Sequence, residues 1–250
     1  MLPGFYIPPL EEVIPVGGFE GWWDAADTSS FVLSGSNVTT WKDKSGKGRD
    51  ATGVSNPTRT LTQNSKSVVS FNGSSQHLTI ASAVEPRTIA CVWRHTAADA
   101  TVNRSLFGVR RSGASPAVAP VYFKSATDAA YRAGFVRSTA LDSAGSTDLY
   151  AREASGLAAA TWRRTMGTMD DSAATLALSY FRDGGLIASD TSVSTLRPLG
   201  TAMVIGASEY SGAVADFHIG DIAELLIWSR VLTAKEIAGV DAYLKDKWAL

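Results

Sequence analysis

The chain has 250 residues, 45% of them hydrophobic, with seven Trp, nine Phe and seven Tyr, enough for one large all-β domain or two small ones. A formal net charge of −1 gives no global reason to expect nucleic acid or an anionic membrane as a partner. Cys91 is the single cysteine, which excludes an internal disulfide. Its setting in Thr-Ile-Ala-Cys-Val-Trp reads as a buried, inert thiol.

Residues 1–20 read as an extended arm. Pro3, Pro8, Pro9 and Pro15, with Gly4, Gly17 and Gly18, exclude helix and disfavour a central strand. Leu2, Phe5, Tyr6, Ile7, Leu10, Val13 and Ile14 are nevertheless too apolar for a solvated tail, so the segment must lie on a surface. That surface is either its own domain or a neighbouring subunit, and these seven residues are the candidate docking contacts. Glu11, Glu12, Glu20, Asp24 and Asp27 give residues 1–41 a charge of −5 against +4 for the remainder, so the arm favours a basic surface. The first residues lack both a basic start and an uninterrupted apolar core. A signal peptide is therefore not expected, and folding in the cytoplasm is. No apolar stretch reaches membrane-spanning length.

From Gly21 onward, short strand-like runs alternate with turn residues, the pattern of a sandwich. Val68, Val69 and Phe71 lead into Asn72-Gly73, a tight-turn pair, after which Leu78 and Ile80 alternate. Thr88 to His95 places Ile89, Cys91 and Trp93 on one face. Residues 138–161, rich in small and polar types, read as loops or weak edge strands. Leu176, Leu178 and Tyr180 alternate before Asp183-Gly184-Gly185 turns the chain, and Met203 and Ile205 alternate before Gly206. Ile222 and Leu225 to Trp228 form a run too continuous for a surface strand. Thr233-Ala-Lys-Glu236 is a capping box that opens an amphipathic helix. Ile237, Val240, Tyr243, Leu244 and Trp248 form its apolar face; Lys235, Asp241, Lys245 and Asp246 lie opposite.

Five segments in order resemble the laminin-G-like, or concanavalin-A-like, jelly-roll superfamily over residues 21–250. They are Gly21-Trp22-Trp23-Asp24, Trp41-Lys42-Asp43 with Gly46 beyond, Val69 to Gly73, Tyr180 to Gly184, and Gly220 to Glu224 leading into Arg230-Val-Leu-Thr. The resemblance implies an all-β fold: an antiparallel jelly-roll sandwich of two curved sheets, with a concave face, and here one short C-terminal helix. It implies little about activity, because such folds host lectins, adhesins, spacers and hydrolases.

The chemistry in the sequence is sparse. Glycoside hydrolysis needs two carboxyl groups about 5–10 Å apart across a cleft, and no Glu-x-Asp-x-Glu run occurs. Asp221 and Glu224, three apart, fall on opposite faces of a regular strand. His77, His95 and His218 are scattered, without the spacing of a transition-metal site. Asp24, Asp27, Asp43 and Asp50 are spaced loosely enough to meet around calcium, yet serve equally as turn formers, and no cofactor is assigned. For glycans the candidate platforms are Trp93, Tyr122, Trp162 and Tyr210, with Tyr131 behind them. Arginines 104, 110, 111, 132, 137, 163 and 164 suit an anionic glycan or acidic neighbour, though most should sit on solvated faces.

Three functions compete. The leading expectation is a non-enzymatic structural or adhesive component of a bacteriophage-like virion. It would dock on other subunits of the particle, or on copies of itself, through the arm, while the sandwich faces cell-surface glycans. The alternative is a carbohydrate-binding module of a bacterial surface or secreted protein. An enzyme comes last. None of these readings includes nucleic acid or membrane insertion.

Overall fold

A computed structural model describes residues 14–82, 86–96, 104–109, 118–124, 132–138, 148–154, 158–173, 175–192, 202–210 and 213–250. In chain order the strands are β1 (Gly21–Asp24), β2 (Phe31–Ser34), β3 (Asn37–Trp41), β4 (Ala51–Val54), β5 (Thr58–Gln63), β6 (Lys66–Asn72), β7 (His77–Ile80), β8 (Thr88–His95), β9 (Arg104–Val109) and β10 (Val118–Lys124). Then come β11 (Arg132–Ser138), β12 (Asp148–Arg152), β13 (Arg163–Asp170), β14 (Leu176–Arg182), β15 (Gly185–Ser192), β16 (Met203–Ile205), β17 (Ser208–Tyr210), β18 (Ala213–Ala215) and β19 (Ile219–Trp228). The helix α1 (Ala234–Trp248) follows. Among the described residues no helix is long and apolar enough to cross a membrane.

Strand pairing sorts these elements into two antiparallel layers. In the first, β8 pairs along β19 and continues through β13 and β14 to β15. On its other side β19 pairs with β6 in its first half and with β1 in its second. The second layer runs β2–β3–β4–β7–β16–β9–β10–β11–β12. β5 lies beside β6, and its contact with β3 at Asn37 and Thr58 carries hydrogen bonding from one layer to the other.

Period-two alternation explains how the sequence makes two cores. Ile89, Cys91 and Trp93 of β8 and Ile222, Leu225 and Ile227 of β19 face Phe31, Trp41, Leu78, Ile80, Phe107 and Ile205 of the second layer. Ala90, Val92, Leu226 and Trp228 point the other way, into a second cluster with Ile237, Val240, Tyr243, Leu244 and Trp248 of α1. β19 is therefore buried on both faces, which accounts for its lack of polar alternation. The expected sandwich and terminal helix are both present. Asp183 and Gly184, both at positive φ, close the β14–β15 hairpin as their sequence foretold.

Asn72-Gly73 does something else. β6 and β7 belong to different layers, so the pair closes no hairpin. Asn72 Oδ1 instead accepts the backbone N–H groups of Ser74, Ser75 and Gln76 at 3.0, 3.1 and 3.1 Å, with Gly73 at φ +76°, and the chain crosses between layers.

The helix starts as its capping box requires. Thr233 Oγ1 accepts from the Glu236 N–H at 3.3 Å, and Glu236 Oε2 accepts from the Thr233 N–H at 2.8 Å. Asp241, expected on the polar face, is buried and accepts from Arg164 Nε at 2.9 Å.

Of the N-terminal segment, residues 14–20 are described, and they lie on their own domain. Val16 is buried in the helix-side cluster, with Ile14 and Phe19 packed against it. The Trp228 indole N–H donates to Gly17 O at 3.3 Å, and the Glu20 N–H to Ile227 O at 2.8 Å. Ile14, one of the candidate contacts, is half-buried and packs in part on its own chain. Leu2, Phe5, Tyr6, Ile7, Leu10 and Val13 lie outside the described residues.

Ile227 has no exposure and sits between the layers. Ile227→Ala should lower stability by about 2–5 kcal/mol in urea denaturation; a loss below about 1 kcal/mol would show that the layers do not pack as described.

Candidate functional site

Polar groups gather on both faces of the first layer, and the two gatherings differ in kind. The outer one is organised by a bulge. Ile222 pairs with Trp93 and Glu224 with Val92, so Ala223 is an extra residue in β19. The insertion puts Glu224 on the helix side, together with Asp221, although regular alternation would separate them. Glu224 is completely buried there. Its Oε1 accepts from Trp22 Nε1 and Tyr243 OH, both at 2.9 Å. Its Oε2 accepts from Trp248 Nε1 at 2.8 Å and meets Lys247 Nζ at 2.9 Å.

The network continues outward. Lys247 Nζ is 2.8 Å from Asp24 Oδ1, and Lys44 Nζ bridges Asp24 Oδ2 at 3.0 Å and Asp27 Oδ2 at 2.8 Å. Burial pushes the Glu224 carboxyl upward, against the pull of Lys247. For Asp27, burial is outweighed by hydrogen bonds from Lys44 and Ser29, which bring it down to about 2.

A cleft of about 570 Å³ opens over this network, lined by Trp22, Asp24, Asp27, Lys44, Tyr243 and Lys247 among others. Its size would admit a small ligand, but its chemistry is already committed. The Lys44 ammonium occupies the point between Asp24 and Asp27 that a cation would need. Asp43 is taken by the backbone N–H groups of Trp22, Ser45 and Arg49, and Asp50 Oδ1 by that of Asp43. Among the described residues no cluster of three or more His, Cys, Asp or Glu side chains is arranged to hold a metal. The face of Trp22 is covered too, with Lys44 Nζ 4.5 Å from its centroid and Phe19 5.5 Å away. One ammonium thus holds both carboxylates that open on this cleft.

The inner gathering lies at one end of the layer, where β8 ends and β13 begins. Arg163 pairs in register with Trp93, and the Trp93 indole donates to Thr165 Oγ1 at 2.9 Å. Alternation along β13 thus turns Arg163 and Thr165 inward, with Trp93 and His95, while Arg164 turns to the helix. His95 and His218, remote in sequence, each lie 6.4 Å from the Trp93 ring. Burial lowers both imidazoles, His218 to about 3; the Arg163 guanidinium adds to the effect on His95. Tyr180 OH donates to Glu153 Oε1 at 3.2 Å, and Arg182 Nη1 meets Glu153 Oε2 at 2.7 Å.

Within this set Arg163 stands apart. It is 9% exposed, its Nε is buried without a hydrogen-bond partner, and no ion pair joins its guanidinium to a described carboxylate. The connection just before it, residues 158–161, is exposed, so this is the rim of the sandwich.

The sequence candidates fare unevenly. Trp93 is fully buried between the layers and offers no face to a sugar, a correction that follows from its inward register. Trp162 is half-buried, and Arg94 covers its ring at 5.0 Å. The side chains of Tyr122 and Tyr210, and those of Tyr131 and arginines 110, 111, 132 and 137, lie outside the described residues. Of the seven arginines, Arg104, Arg163 and Arg164 are buried. No spacing rule in the sequence could have joined His95 to His218 or exposed Arg163 as unpaired, because strand order alone brings them together.

Glu224→Ala should cost about 3–5 kcal/mol in denaturation, since it strands Lys247 and three donors in a dry site; an unchanged midpoint would contradict the hub. His218 gives a pH test. Below about 6.5 the unfolded chain takes a proton that the folded chain refuses, so stability falls as pH drops toward 3, by at most about 1.4 kcal/mol per unit from this group. His218→Gln should flatten the slope between pH 7 and 5; an identical slope would remove His218 as its source.

A family model described as the concanavalin A-like lectin/glucanases superfamily matches residues 72–238. No curated protein sequence matches the chain. Among solved structures, domain 4 of AbnA, a GH43 extracellular arabinanase from Geobacillus stearothermophilus, in complex with arabinotriose, aligns with TM-score 0.57 and 12% identity, covering 90% of this chain and 98% of that one. Trypanosoma rangeli sialidase in complex with sialic acid aligns with TM-score 0.59 and 15% identity, covering 94% of this chain but 34% of the sialidase. The chain thus spans about a third of the sialidase, and at these identities both likenesses show the fold alone. With the family model covering most of the sandwich, including β8, β13 and β19, the chain belongs to the concanavalin A-like lectin/glucanases superfamily.

Proposed function

We infer that this protein is a carbohydrate-binding domain that acts by recognition and not by catalysis. The observation that carries the reading is the extent of the likeness to AbnA domain 4. Nearly the whole of each chain is used, and that domain is in complex with arabinotriose. The family is consistent with it, as is the engagement of Asp24, Asp27 and Glu224 by lysines and indoles, which leaves them poor acid–base partners.

The order of the two leading sequence readings is therefore reversed. A virion role rested largely on the N-terminal arm, and the described part of that arm packs on its own domain. The two solved structures described above come instead from an arabinanase and a sialidase. The module reading requires no partner subunit. We place the sugar-contacting region at the inner rim beside Arg163, next to the exposed connection 158–161, because the outer cleft has its charges matched internally.

Isothermal titration of the purified domain with arabinotriose, lactose, sialyllactose and an oligogalacturonide tests the reading. At least one should bind with a Kd between micromolar and millimolar, with no reducing sugar released on long incubation. Silence across the panel contradicts glycan recognition, and turnover abolished by replacing one carboxylate contradicts the non-enzymatic part.

A further inference from the structure

Folded proteins almost always give a buried guanidinium an acceptor, since removing that charge from water is costly and a pairing partner offsets part of it. The other arginines of the first layer obey this. Arg94 meets Asp221, Arg164 meets Asp241, and Arg182 meets Glu153. Among the described residues Arg163, on the inner face, has no such partner.

The surroundings narrow what would complete it. Glu153 is the carboxylate of this cluster, and Arg182 and Tyr180 already hold it. The Thr165 hydroxyl accepts from Trp93 and retains its own hydrogen to donate. Burial and the Arg163 guanidinium shift His95 beside it downward, and an imidazole supplies no anion in either protonation state. The site thus offers donors around a cation whose one neighbouring described carboxylate is taken by others, and it lies next to the exposed connection at the rim.

We propose that Arg163 is the receptor for a sugar carboxylate, so that the domain recognises acidic glycans bearing a uronic or sialic acid. This rests on the carbohydrate-binding reading and names its ligand class. The guanidinium fork matches a carboxylate with two parallel hydrogen bonds, a geometry an ammonium cannot reproduce. Recognition then depends on the acid group and much less on the neutral sugars linked to it.

The test uses the full chain with two acidic probes and their neutral counterparts: an oligogalacturonide against its methyl ester, and sialyllactose against lactose. One acidic probe should bind at least tenfold tighter than its counterpart, and whichever does so identifies the source of the carboxylate. Arg163→Met should reduce that affinity to the neutral level while leaving the thermal midpoint unchanged or raised, because it removes a buried charge that no described carboxylate pairs. Arg163→Lys, which keeps charge but loses the fork, should fall between them; it decides the matter if the Met variant does not fold. Equal binding of acidic and neutral probes overturns the assignment and leaves carbohydrate binding standing. An acid preference that is undiminished in the Lys variant, or that survives in the Met variant, overturns it as well. Failure of every probe to bind removes the carbohydrate reading itself, and this inference with it.

Discussion

The structure depends on one buried carboxylate. Glu224 lies in a strand covered on both faces, and four donors from β1 and α1 converge on it. Water cannot compensate a charge there, so Trp22, Tyr243, Lys247 and Trp248 must all be in place at once. That requirement fixes the helix against the sheet and β1 against β19. Phe19 packs on Trp22 and Trp228, so the segment leading into β1 is fixed too. The bulge at Ala223 makes this possible, since without it Glu224 would point into the apolar core.

Function inherits this division of labour. Charges on the helix side are consumed in holding the molecule together: lysines between carboxylates, a cation over an indole, and aspartates on backbone N–H groups. The inner rim is built differently. Burial shifts its histidines downward, and Arg163 is buried with no described carboxylate paired to it. Stability alone does not explain such an arrangement, because a hydrophobic residue at position 163 would be cheaper to bury.

What the sequence disclosed follows the range of the interaction involved. The capping box and the apolar face of α1 were legible because they are set within a few residues of each other. The same holds for the alternation of β8 and β14 and the Asp183-Gly184 turn. Glu224 was misplaced because a single inserted residue reverses strand alternation, and nothing local marks Ala223 as the extra one. Asn72-Gly73 carried a hairpin signal, but whether a turn joins neighbours or crosses between layers is settled by strand order. His95 and His218 meet only because β8 pairs with β19. Trp93 was correctly assigned a face, and that same face is what denies it to a ligand.

The most direct measurement is nitrogen-15 NMR of the arginine Nε–H groups during titration with an acidic oligosaccharide. The Arg163 resonance should move and sharpen as its guanidinium acquires an acceptor, while the indole signals of Trp22 and Trp248 stay fixed. Movement of those indoles with Arg163 unchanged would place the ligand over the Glu224 network and contradict a receptor at the inner rim.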